Sequence, residues 1–351
     1  MSQQLDLFGY APDEPRGPTR RVAAPVRPCT DMPSILALAD RLPARLRLGT
    51  SSWSFPGWSG ILYAEEADKG RLSRFGLSAY ASHPWLRTVG IDSTFYALPS
   101  ATRLAGYAAQ VPAGFRFLIK APALLTDPLE RGPGGRPTGP NPSFLNQALA
   151  LEQVVAPVLE GLGDRTGTLL LQFPPMGPSI TSNPRRFAED LYRFLHRLPP
   201  GPVYAVEVRD SDLLTGDLAE ALRHGGARPA FGIHPRLPGL ARQRALFADQ
   251  PPGPLIIRWM LRTNRGYDEA RTLYRPFDRI REPDPDNRRL VADLATEALD
   301  SGQDVFVIVN NKAEGSAPLS LLALAEAVVD RRDRRAEGPQ SGDSARNPPS
   351  R

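Results

Sequence analysis

Residues 203–210 read VYAVEVRD, an apolar run interrupted by a glutamate and an arginine two positions apart. Successive side chains of an extended strand point to opposite sides, so residues two apart share a face. Glu207 and Arg209 therefore project together, opposite Val206 and Val208. If the valine side packs on helices, the charged side faces an enclosed interior. Seven more runs have similar length and apolar character: LRLGTS (46–51), TVGIDST (88–94), FRFLIKA (115–121), GTLLLQF (167–173), RPAFGIH (228–234), PLIIRWM (254–260) and DVFVIVNN (304–311). Such runs suit parallel strands covered on both faces.

Between the runs lie stretches of helical period, at 71–85, 100–110, 144–162, 184–197, 215–225, 288–301 and 318–330. Strands alternating with helices indicate an α/β protein with a parallel sheet. Eight strands close into a TIM-type (β/α)8 barrel, a fold of about 250 residues. Leu46 to Asp330 spans 285 residues (330 − 46 + 1), which fits with loop insertions. The competing architecture is an open doubly wound sheet. It carries a glycine-rich phosphate turn after its first strand, and GTSSWSFPGWSG (49–60) is too aromatic for one. The organisation expected is a flexible, disordered arm at 1–33, a barrel at 34–330 and a disordered tail at 331–351. The Pro/Gly-rich stretch 127–142 reads as a mobile loop or lid.

Composition excludes several classes. No apolar run is long enough to span a membrane, and no basic-then-apolar leader opens the chain, so a cytoplasmic protein with no membrane contact is expected. One cysteine, Cys29, rules out an internal disulfide framework. The net charge of +5 is concentrated at the ends: residues 1–30 contribute +1 and residues 331–351 contribute +3. The basic balance is thus weak evidence for nucleic acid. Only three lysines, Lys69, Lys120 and Lys312, stand beside 40 arginines. Two of these lysines fall at strand ends.

Barrel enzymes assemble their sites at the C-terminal ends of the strands, and the polar residues gather there. Ser51, Ser52, Trp53, Phe55 and Trp58 follow the first strand, and Asp92, Ser93, Thr94, Phe95 and Tyr96 the second. Lys120 ends the third and Gln172 the fourth. Glu207, Arg209 and Asp210 close the fifth, and His234 the sixth. Arg258, Trp259 and Arg262 follow the seventh; Asn310, Asn311, Lys312, Glu314 and Ser316 the eighth. Glu207 and Lys120 are the candidate catalytic groups. One reading makes Glu207 a general acid or base tuned by Lys120, Arg209 and Arg258, with those cations binding a phosphate or carboxylate. The other makes the same charges a structural network filling the lumen. The aromatics suit either loop packing or stacking on a sugar or base. Asn310 and Asn311 suit either ligand hydroxyls and amides or capping of the last loop. No histidine pair has ligand spacing, so neither metal nor cofactor is expected.

Six segments occur in a fixed order: GTSSWSFPGW (49–58), TVGIDSTFYALPS (88–100), FRFLIKAP (115–122), LLLQFPP (169–175), AVEVRD (205–210) and VIVNNKAEGSAP (307–318). Together they resemble the YecE-like family, domain of unknown function seventy-two. The resemblance implies a TIM-type barrel and brings no established reaction. It also implies site positions at Trp53, Ser93, Thr94, Tyr96, Lys120, Gln172, Glu207, Arg209, Asn310 and Asn311. Four motifs depart from the family pattern. Ser52 stands for a glycine, Gly90 for a glutamate with Asp92 for an asparagine, and Asp127 and Asp210 each for a histidine.

Gln4-Leu5-Asp6-Leu7-Phe8 resembles the bacterial sliding-clamp-binding pentapeptide, in which Leu7 and Phe8 would seat in an apolar pocket. Two functions compete. One is a metal-independent hydrolase or lyase acting on a phosphate- or sugar-containing substrate, nucleic acid included, at the C-terminal face. The other is a non-catalytic DNA-replication or DNA-repair protein recruited by the clamp.

Overall fold

The computed structural model describes residues 25–30 and 33–336. Eight parallel strands form a closed barrel: β1 (Leu46–Thr50), β2 (Leu86–Ile91), β3 (Arg116–Lys120), β6 (Thr166–Phe173), β7 (Val203–Val208), β8 (Arg228–Ile233), β9 (Leu255–Trp259) and β10 (Val305–Val309). They are arranged in chain order, and β10 closes on β1 through pairs from Leu46 with Val305 to Thr50 with Val309. Strands β4 (Leu129–Arg131) and β5 (Pro137–Pro140) form a separate antiparallel hairpin after β3.

The period-two reading of the strands holds throughout. Leu118, Leu170, Ala205, Ala230, Ile256, Phe306 and Ile308 point inward and make a core of their own. The alternate residues Ile119, Leu169, Leu171, Val206, Val208, Ile257, Val305 and Val307 pack outward in the larger core shared with the helices. The lumen is filled by side chains, as an eight-stranded barrel requires. Above the apolar layer, Lys120, Gln172, Glu207 and Arg258 continue the inward rows of their strands.

Helix starts are set by local capping. Asp68, Ser100, Asn146, Asn183, Thr215 and Asp284 each accept a hydrogen bond from the backbone N–H three residues on, which satisfies a donor the helix leaves unpaired. Two short helices, Leu240–Leu246 and Tyr267–Tyr274, lie where the sequence showed no helical period.

Three boundaries differ from expectation. The stretch read as a mobile loop is a hairpin, held at its base by Asn141 Nδ2 donating to the Leu124 and Asp127 carbonyls at 2.9 and 2.7 Å. The last helix, Ala317–Ala336, runs past Asp330 into the expected tail. Its Arg331 pairs with Asp293, and Arg332 and Arg335 reach Asp300 at 2.9 and 2.6 Å. At the other end, residues 25–30 are not free of the barrel. Val26 is buried, Cys29 N donates to the Leu62 carbonyl at 2.9 Å, and Ala64 N to that of Arg27 at 3.0 Å. The pentapeptide Gln4–Phe8 lies outside the described residues. Among the described residues no helix is long and apolar enough to cross a membrane.

Candidate functional site

Two polar regions occupy the C-terminal end of the barrel. The first is on the axis. Gln172 and Glu207 sit side by side on β6 and β7, and Arg258 on β9 reaches across to both. Its Nη1 donates to Glu207 Oε2 at 2.6 Å and to Gln172 Oε1 at 3.2 Å. Arg209 Nη2 stands 2.5 Å from the other oxygen, Glu207 Oε1. The side chains of Glu207 and Arg258 are 1% and 3% exposed, so this is an ion triad out of bulk water. Burial alone would raise the Glu207 pKa. Arg209, Arg258 and then Lys120 outweigh it and hold the carboxyl below its ordinary value. His234 is held down to about 4, by burial first and then by Arg209.

Lys120 borders this triad. Its Nζ lies 3.6 Å from the centre of the Phe95 ring, a cation–π contact. Burial lowers its pKa to about 8, opposed by Asp92 and reinforced by Arg258 and Arg209. Thr94 fixes the adjoining backbone, donating from Oγ1 to the Lys120 carbonyl at 2.6 Å and the Ile91 carbonyl at 2.8 Å.

The second region is a cleft of about 490 Å³, off the axis, between the loops after β1, β2, β9 and β10. Trp53, Phe55, Tyr96, Tyr267 and Phe277 give it aromatic walls. Its charged lining is four cations, Lys69, Arg271, Arg275 and Lys312, against one carboxylate, Asp92. Lys312 Nζ rests 4.4 Å from the Tyr267 ring centre. Burial lowers its pKa to about 8, with Asp92 opposing. Asp92 therefore acts on both Lys120 and Lys312, and its Oδ1 is buried without a hydrogen-bond partner among the described residues. Phe277, on the wall, has φ +74, a left-handed conformation that bulky residues rarely adopt and that recurs at ligand sites. The wall is tightly joined, for a Cβ on Gly57 would fall 1.8 Å from the Pro276 carbonyl oxygen.

The candidates from sequence thus divide. Trp53, Ser93 and Tyr96 line the cleft, whereas Lys120, Gln172, Glu207, Arg209 and Arg258 form the axial group. Asn310 and Asn311 are taken up by the loop itself. Asn310 Nδ2 donates to Ser51 Oγ at 2.8 Å, and its Oδ1 accepts from Lys312 N at 3.1 Å. Asn311 Oδ1 accepts from Ala317 N at 2.8 Å and Trp58 Nε1 at 3.2 Å, starting the last helix. Sequence reasoning set Lys312 at the end of the eighth strand without giving it a role, and left out Tyr267, Arg271, Arg275 and Phe277. The scarcity of lysine pointed to Lys312, and no motif marked the segment 267–277.

The positions that depart from the family pattern each have a place. Ser52, Gly90 and Asp92 line the cleft. Asp127 accepts from Leu129 N and Arg131 Nε at 3.0 and 2.8 Å at the hairpin base. Asp210 Oδ2 accepts from Met176 N at 2.7 Å, tying the loop after β6 to β7. Among the described residues no group of three or more His, Cys, Asp and Glu side chains could hold a metal ion.

No curated protein matches the chain. Among solved structures it is similar to a DUF72 family protein from Enterococcus faecalis V583, with 18% identity, a TM-score of 0.51, and 81% of this chain and 95% of that one covered. It is also similar to a DUF72 family protein from Thermotoga maritima MSB8, with 20% identity, a TM-score of 0.49, and 80% and 98% covered. The family model for the protein of unknown function DUF72 matches residues 47–343. Matched over most of its length, and carrying the ordered motifs that first suggested the kinship, the chain belongs to the DUF72 family.

Proposed function

We propose that the protein is an enzyme acting on a small anionic substrate, of sugar-phosphate or sugar-acid size, bound in the off-axis cleft. One observation carries the reading: Lys69, Arg271, Arg275 and Lys312 line a cleft with aromatic walls whose lining carboxylate is Asp92, Arg271 pairing also with Asp268 at 3.1 Å. An excess of positive charge in a concave, partly dry site favours an anion. Aromatic faces suit the C–H face of a sugar ring or a planar group. Lys312 and Asp92 both line the cleft, and a lysine with a pKa near 8 exchanges protons near neutrality. Lys120 is a second amine on which Asp92 acts electrostatically. Glu207, with both oxygens engaged by guanidiniums, serves in this reading as the counter-ion that positions Arg209 and Arg258.

Ribose 5-phosphate tests the reading. Calorimetric titration should give saturable binding that weakens with added salt and is lost in Arg275→Ala. Ribose should fail to bind. Equal behaviour of ribose and ribose 5-phosphate, or binding indifferent to Arg275→Ala, would remove the anion site. Recruitment by a sliding clamp rests on Gln4–Phe8, and no feature of the described residues favours it.

A further inference from the structure

We propose that Lys312 is a nucleophile that captures the carbonyl carbon of a phosphate- or carboxylate-bearing aldehyde or ketone as an imine. The inference rests on the cleft's taking an anion, and it begins from composition. Where this chain needs only positive charge it uses arginine, 40 times; lysine occurs three times. All three lysines meet at one end of the barrel. Lys69 and Lys312 line the cleft, and Lys120 ends β3 within the electrostatic reach of Asp92. An ammonium differs from a guanidinium in being able to lose a proton and attack carbon.

Lys312 is the best placed of the three. It is buried yet opens on the cleft. Its backbone is held by Asn310 Oδ1, and the following loop is held by Asn311. Among the described residues it forms no ion pair, its Nζ lying on the Tyr267 ring face instead. Its depressed pKa leaves part of the amine neutral near neutrality. Asp92 lines the same cleft, and its charge acts on the Lys312 amine.

The step balances without an oxidant. The amine lone pair adds to the carbonyl carbon, and the C–O π pair moves to oxygen. That oxygen takes up the two protons shed by nitrogen and leaves as water. Ammonium plus carbonyl thus gives a protonated imine plus one water. Arg275, on the same wall of the cleft, is the cation placed to hold the substrate's anion.

The test treats the full chain with sodium borohydride in the presence of glyceraldehyde 3-phosphate or pyruvate, followed by peptide mass mapping. Hydride adds to an imine carbon and makes the link permanent. Lys312 should carry at least about tenfold more adduct than Lys69 or the N-terminal amine, suppressed by excess inorganic phosphate. The two probes distinguish a phosphate-bearing substrate from a carboxylate-bearing one. No adduct on Lys312 with either, or equal labelling of all amines, overturns the proposal. If ribose 5-phosphate still binds in that case, the anion site stands and the imine alone falls. If Lys312 labels while ribose 5-phosphate does not bind, the sugar-phosphate reading alone falls. Lys312→Arg, which keeps the charge, should abolish the adduct and retain ribose 5-phosphate binding.

Discussion

Replacing Glu207 by glutamine removes one charge from the axial triad and leaves two guanidiniums facing each other. Arg258 is 3% exposed and loses its carboxylate contact at 2.6 Å, keeping only Gln172 Oε1 at 3.2 Å. Arg209 is 10% exposed and nearer the mouth, so solvent recovers part of its loss. Breaking a buried ion pair from one side costs about 3–5 kcal/mol. The remaining Gln172 bond and the partial exposure of Arg209 place Glu207→Gln near the lower end, about 3 kcal/mol. With an m-value of about 3 kcal/mol/M, the urea midpoint followed by tryptophan fluorescence should fall by about 1 M at unchanged slope. The double variant Glu207→Leu/Arg258→Met removes both charges. Its loss should be smaller than the sum of the single losses by at least about 1.5 kcal/mol, because neither variant then strands the other's charge. A loss below about 1 kcal/mol for Glu207→Gln, or strict additivity in the cycle, would refute the picture of a desolvated triad.

Two further outcomes follow from the cleft. Lys120 and Lys312 have folded-state pKa values of about 8 against an ordinary 10.5. Between those values the unfolded chain binds more protons, so their contribution makes stability rise with pH across that window. Lys120→Met and Lys312→Met should each flatten that rise in urea unfolding series, and an unchanged slope would show that the amines titrate normally. A Cβ on Gly90 would lie 3.1 Å from the Ser51 carbonyl oxygen, tight but near fitting, and would open on the cleft. Gly90→Glu should therefore place a second carboxylate beside Asp92 and weaken ribose 5-phosphate binding about tenfold; undiminished affinity would mean that the anion sits elsewhere.

The barrel could be read from the sequence because parallel strands leave a mark in their own residues. The two faces of VYAVEVRD needed no partner to be told apart, and Glu207 and Arg209 point inward as that alternation required. The axial half of the site came with them, since Lys120 and Arg258 also interrupt apolar runs. The cleft was legible only on its inner side, through Trp53, Ser93 and Tyr96. Its outer wall is a two-turn helix, Tyr267–Tyr274, followed by a turn through Phe277. The composition of that segment resembles any exposed connection. Its role comes from the close approach of Pro276 to Gly57, more than two hundred positions away. The end of the last helix was hidden for a similar reason. Arg331, Arg332 and Arg335 look like a solvated charge run until Asp293 and Asp300 are brought opposite them.

The strip at residues 25–30 fixes a point of departure. Pro28 bridges to Tyr63, and Tyr63 Oη donates to the Trp53 carbonyl at the cleft. Residues 25–30 are thus fastened to the rim that carries the cleft. Residues 9–24, at no more than about 3.6 Å each, can span at most about 58 Å. A partner that bound Gln4–Phe8 would hold the cleft within that radius of itself.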